Sequence, residues 1–179
     1  HQIGSYVPAS EAVLPVFNRV FTRVGAADDL SRGQSTFMVE MSEAAEILRQ
    51  ASSKSLVILD EIGRGTSTED GLAIASAILE NIAKDIGAYS LFATHYHELS
   101  DLAEALDKVE NVQIEVKESD AGVEFTHRMI KGSSGSSYGI EVAKLAGVPD
   151  EVVERAEFFI QKPVSKEAVS AVKPEQNIV

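Results

Sequence analysis

Two adjacent carboxylates, Asp60 and Glu61, follow the run Ser55-Leu56-Val57-Ile58-Leu59 and precede the glycine-punctuated stretch Ile62-Gly63-Arg64-Gly65-Thr66-Ser67. At the carboxyl end of a strand an aspartate can hold Mg²⁺, directly or through water, while the metal bridges phosphate oxygens. The neighbouring glutamate can accept a proton from an attacking water. The same residues also fit a strand that ends in two solvated acids. Further along, Thr94-His95-Tyr96-His97-Glu98 closes a second apolar run. If the two runs are neighbouring strands, His95 lies beside Asp60 and Glu61, where an imidazole could donate to a phosphate oxygen; a structural hydrogen bond is the plainer role. His95, His97 and Glu98 are spaced too closely to argue for a metal centre of their own. Upstream, Ser31, Ser35 and Thr36 offer hydroxyls ahead of a helical segment. Free backbone N–H groups at a helix start suit a phosphate, and they equally suit simple capping.

The elements that must position these groups follow from periodicity. Residues 55–59, with Val, Ile and Leu and no polar alternation, suit a strand covered on both faces, as in a parallel α/β sheet, where ligands bind beyond the carboxyl ends of the strands. Side chains alternate along a strand, so Asp60 and Glu61 point to opposite faces unless the chain bends, and Gly63 and Gly65 permit a bend. Residues 19–24 alternate as a strand closed by Gly25. The segment after the polar loop 26–36 carries Phe37, Met41, Ala44, Ala45 and Leu48 at helical spacing. Residues 69–86 read as a second helix with Leu72, Ala75, Ile78, Leu79 and Ile82 as its buried stripe, stopped by Gly87. Residues 88–93 read as a second buried strand, so strand, helix, strand suggests a right-handed βαβ unit.

After a helix at 100–106, two alternating stretches, 109–116 and 123–130, flank Ser119-Asp120-Ala121-Gly122, which has hairpin-turn chemistry. In the second of them Val123, Phe125, His127 and Met129 share a face. A Gly/Ser-rich loop leads to helices at 138–146 and 150–161, separated by Gly147-Val148-Pro149. The second carries Asp150, Glu151, Glu154 and Glu157 against Arg155, the wrong sign for a DNA groove, which favours a packing or dimer role. Residues 162–179 are polar, lack periodicity and read as a disordered tail or linker.

The chain has 179 residues, 44% of them hydrophobic, with 16 Lys and Arg against 28 Asp and Glu, a net charge of −12. Phosphate-neutralising nucleic-acid binding would need a local basic patch working against that field, and none is visible. There is no cysteine, hence no disulfide or thiolate metal site, as in a reducing compartment. No apolar run approaches a membrane span of about 20 residues. The opening His1-Gln2-Ile3-Gly4-Ser5-Tyr6-Val7-Pro8 reads as the middle of a domain, and a piece of a longer protein is expected.

Residues 55–71 resemble the signature of the MutS DNA mismatch repair ATPases. The likeness extends through residues 21–30, Ser35-Thr36-Phe37-Met38-Val39-Glu40-Met41, residues 92–99 and residues 137–156. Together these cover roughly residues 1–160. The resemblance implies an α/β, ABC-type ATPase three-layer fold with a mostly parallel sheet, a β-hairpin and a C-terminal helix-turn-helix. It divides the chain into a partial ATPase domain (1–134), a helix-turn-helix dimerisation element (135–161) and the tail (162–179). Asp60 would be the Walker B magnesium residue, Glu61 the residue that activates water, and His95 the switch histidine that senses the γ-phosphate. Residues 63–67, with Thr66 and Ser67, would be the D-loop side of the dimer contact. Ser31, Gly33, Gln34 and Ser35 would belong to the segment that reaches nucleotide bound by the opposite subunit. ATP and Mg²⁺ are the implied substrate and cofactor. The implied partners are a second copy of the chain, mismatched DNA held by other domains, and a downstream protein of the MutL family, in the bacterial cytoplasm at the nucleoid.

One motif departs from the family. No Gly-x-x-x-x-Gly-Lys-Ser/Thr phosphate loop occurs in these residues; the family places it shortly upstream. Another ABC-type DNA-maintenance ATPase (a MutS-related recombination suppressor or an SMC-like protein) and a catalytically silent interaction module are the alternatives. Asp28-Asp29-Leu30 and residues 35–41 favour mismatch repair over the other ATPases.

Overall fold

The computed structural model describes residues 2–25, 35–119, 122–133 and 137–162. Its elements divide between two compact units, His1–Asn111 and Val112–Val179.

In the first unit, β1 (Arg19–Arg23), β2 (Ser55–Asp60) and β3 (Tyr89–Ala93) form a parallel sheet in the order β1-β2-β3. Helix α1 (Thr36–Gln50) connects β1 to β2. Helix α2 (Thr68–Asn81), extended by a π-helical turn at Ile82–Ile86, connects β2 to β3, and α3 (Glu98–Glu104) follows. Both crossovers step in one direction, so right-handedness lays α1 and α2 on the same face. Accordingly Ala44 and Ile47 of α1 and Ile78 and Ile82 at the end of α2 enclose Val57, Leu59 and Ile62. A second cluster joins Ala75 and Leu79 of α2 to Tyr96, Leu99 and Leu106.

Two expectations change as a result. β2 is not evenly covered on its two faces among the described residues. Ser55, Val57 and Leu59 are buried, while Leu56, Ile58 and Asp60 retain partial exposure. Nor is β3 buried. Among the described residues it is an edge of this sheet, with Tyr89 53% and Leu91 57% exposed, and of its residues only Phe92 packs toward the helices. In register, Val20, Leu56 and Tyr89 form one row of the less covered face, and Thr22, Ile58 and Leu91 the next. The strength of the apolar signal in residues 55–59 and 88–93 measured hydrophobicity, which does not say which face a helix covers.

Local chemistry sets the boundaries. Ser35 caps α1, its hydroxyl accepting from the Met38 N–H at 3.1 Å, and Ser67 caps α2 by accepting from the Asp70 N–H at 3.2 Å. Gly87, at φ +68°, ends the π-helical turn. In the second unit, β4 (Val112–Ser119) and β5 (Gly122–Lys131) form an antiparallel hairpin. Its register shifts between Ile114 and Val116. Exposed His127, at φ +57°, lies in that part of β5 and interrupts the face expected for Val123, Phe125, His127 and Met129. Helices α4 (Gly139–Leu145) and α5 (Asp150–Gln161) pack together, tied by a Lys144–Glu157 ion pair of 2.7 Å. The turn residues 120–121, residues 134–136 of the Gly/Ser loop and 163–179 of the tail lie outside the described residues. No helix among the described residues is long and apolar enough to cross a membrane.

Candidate active site

The sheet brings the two polar strand ends together. Asp60, the last residue of β2, is in register with Ala93, the last of β3, and the Glu61 N–H still donates to the Ala93 carbonyl at 3.0 Å. The chain then turns at Glu61 itself, whose φ of +51° is uncommon for a residue with a Cβ. The bend anticipated from Gly63 and Gly65 therefore begins two residues earlier, on the carboxylate. His95, two residues past β3, places Nδ1 4.0 Å from Glu61 Oε1, and its ring lies against Tyr96 with centroids 4.2 Å apart. Arg64 forms an ion pair with the other Glu61 oxygen. Glu61 and His95 are both partly open to solvent, so reactants can reach them.

The loop beyond Glu61 is held firmly. The Gly63 N–H donates to Oε1 of Glu40, from α1, at 2.6 Å, and its carbonyl accepts from the Tyr96 hydroxyl at 3.0 Å. Gly63 sits at φ +91°, and Gly71 of α2 lies against it, so that a Cβ on either would collide with the other's backbone. Glu40 is only 6% exposed and lies 3.9 Å from Arg23, itself buried at the end of β1. Arg23 also bonds the Gly25 carbonyl and approaches Glu43 at 3.0 Å.

Of the residues singled out in the sequence, Asp60, Glu61 and His95 meet at one sheet edge. Thr66 is half-buried and Ser67 exposed on the loop leading to α2, and Ser35 stands at the start of α1, its hydroxyl engaged as a cap. Ser31, Gly33 and Gln34 lie outside the described residues. Sequence reasoning missed Glu40, Tyr96 and Gly71. The signal was present for Glu40, a carboxylate at i, i+4 and i+7 with Ala44 and Ile47 on the buried face of α1. Among the described residues no group of three or more His, Asp or Glu side chains could cage a metal. Mg²⁺ is also held in another usual manner, by one or two carboxylates completed by water and substrate phosphates, and Asp60 could supply one such carboxylate.

Comparison with known proteins decides the family, because the profile of MutS domain V matches residues 1–162. The chain belongs to the MutS domain V family. Its relatives include proteins named DNA mismatch repair protein MutS from Thermosipho melanesiensis (57% identical over 155 residues, 87% of this chain and 19% of that one). Others come from Acetivibrio thermocellus (55% over 161 residues, 90% and 18%) and Lactococcus lactis subsp. lactis (54% over 165 residues, 92% and 20%). The chain thus spans about a fifth of the length of these MutS relatives. The α/β class, the parallel sheet, the hairpin and the helices agree with the MutS domain V assignment.

Proposed function

We propose that this chain is the ATPase and dimerisation portion of a MutS mismatch repair protein, inactive by itself because these residues contain no phosphate loop. The observation that carries this reading is the convergence of Asp60, Glu61 and His95 at the carboxyl ends of two adjacent parallel strands, with His95 4.0 Å from Glu61. Asp60 would hold Mg²⁺, which would offset charge on the phosphate oxygens. Glu61 orients a water in line with the γ-phosphorus and takes its proton as the water oxygen bonds to phosphorus. The bond to the β,γ-bridging oxygen breaks, and ADP leaves with that electron pair. His95 donates to a γ-phosphate oxygen. Ser31, Gly33, Gln34 and Ser35 meet the nucleotide of the opposite subunit, and Thr66 and Ser67 face the dimer contact.

Residues 1–134 act as a partial ATPase domain and residues 135–161 as a dimerisation element; the acidic face of α5 supports packing on protein over DNA. In the full-length protein other domains hold mismatched DNA, and hydrolysis is coupled to mismatch recognition and to a partner of the MutL family in the cytoplasm. The test is the Mg²⁺ dependence of steady-state hydrolysis by the full-length protein. Asp60→Asn should shift half-saturation by Mg²⁺ upward at least about tenfold, since one carboxylate ligand is lost. An unchanged Mg²⁺ profile would remove Asp60 from the metal site.

A further inference from the structure

The peptide of Gly63 is gripped from two sides by groups outside the proposed chemistry, Glu40 on its N–H and Tyr96 on its carbonyl. Gly63 lies two residues beyond Glu61, with buried Ile62 between them, so little slack separates the grip from the carboxylate. Glu40 is a buried anion on α1, the helix whose first turn is capped by Ser35. Burying a carboxylate is costly without strong partners, and a plain apolar residue would fill this stripe more cheaply. Here one oxygen takes a charge-assisted bond from the Gly63 N–H and the other lies near buried Arg23. Tyr96 closes the grip from the histidine side, its ring against His95.

We infer that Glu40 is a positioning residue that ties α1 to the Glu61 loop through the Gly63 peptide and so sets the placement of the water-activating carboxylate. This inference rests on the proposed role of Glu61. The 2.6 Å bond joins Glu40 of α1 directly to the Gly63 N–H, two residues beyond Glu61. An amide in place of the carboxylate retains an acceptor but weakens the bond and turns an N–H₂ toward Arg23.

The test compares full-length proteins carrying Glu40→Gln, Glu61→Gln and both, with kcat and KM for MgATP and the thermal midpoint measured for each. Glu40→Gln should lower kcat about tenfold with KM within about twofold, because sub-ångström misplacement acts on the chemical step. In the Glu61→Gln background the same change should cost nothing further, since the residue it positions is already disabled. Tyr96→Phe, which removes one hydroxyl from the other side of Gly63, should give a smaller fall in kcat with the same masking and is the second variant should Glu40→Gln fold poorly. An equal loss in both backgrounds, or a loss seen in KM, would make Glu40 merely structural and overturn the inference. If Glu61→Gln abolishes turnover while Glu40→Gln and Tyr96→Phe leave kcat unchanged, this inference alone fails. If Glu61→Gln itself leaves kcat unchanged, the role of Glu61 fails and the inference with it.

Discussion

Gly71→Ala is the perturbation that most sharply tests how the site loop is held. On an exposed helix this substitution stabilises by about 1 kcal/mol, from the better helix propensity of alanine. Gly71, in the first turn of α2, is buried, and a Cβ there would land on both the Gly63 carbonyl oxygen and the Tyr96 hydroxyl, the two partners of one hydrogen bond. Forcing a methyl into such a site costs about 1–3 kcal/mol in overpacking. Separating the buried hydrogen-bond pair adds roughly 1–3 kcal/mol. Neither clashing atom is the free end of a flexible side chain: one is backbone at φ +91° and the other is fixed on a ring that is 5% exposed. The unfavourable effects outweigh the propensity gain, leaving a net loss of about 1–5 kcal/mol. For a chain of this length that lowers the thermal midpoint by roughly 2–20 °C. Urea and thermal unfolding of Gly71→Ala, Tyr96→Phe and the double variant provide the assay. The double variant should be more stable than the sum of the singles by about 1 kcal/mol, because removing the hydroxyl relieves part of the clash. A neutral or stabilising Gly71→Ala, or strict additivity with Tyr96→Phe, would refute the packing described for the loop.

Two further outcomes are expected. The hydrogen bond and charge of Glu157, with smaller help from Glu141 and Asp150, raise the Lys144 pKa above its ordinary 10.5. The stabilising contribution of a group whose pKa is raised in the folded state is complete below its unfolded value and disappears as pH rises through the folded value. The α4–α5 link should therefore loosen only above about pH 10.5. NMR titration of Lys144 should return toward 10.5 in Glu157→Gln, and an identical titration in both proteins would contradict the pairing. Isothermal titration of the 179-residue chain with MgATP should give weak or undetectable binding, because these residues contain no phosphate loop. Micromolar affinity would show that the groups on β2 and β3 suffice by themselves.

Much of this arrangement was legible in the sequence because local signals agreed with the tertiary fold. The apolar run before Asp60, the stripe ending at Ile82 and the stop at Gly87 fixed β2 and a helical stretch ending at residue 86, though not the π-helical form of its last turn, and Gly147-Val148-Pro149 separated α4 from α5. The adjacency of His95 to Glu61 followed from assuming one right-handed βαβ step. What stayed hidden was non-local. Glu40 looked like one acid among many on an acidic chain, and its burial depends on Gly63 coming from 23 residues away. Tyr96 stands between two histidines whose chemistry is the stronger local signal, although its hydroxyl closes the loop. The unequal coverage of the sheet could not be read from strands whose two faces are equally apolar.

The central claim is that Glu61 activates water for ATP hydrolysis at the edge shared by β2 and β3. Steady-state turnover and equilibrium MgATP binding by full-length Glu61→Gln, beside the unsubstituted protein, test it most directly. Loss of a general base predicts a fall in kcat of about 100-fold or more with the dissociation constant for ATP within about twofold. Turnover at the unsubstituted rate with ATP still bound would contradict it.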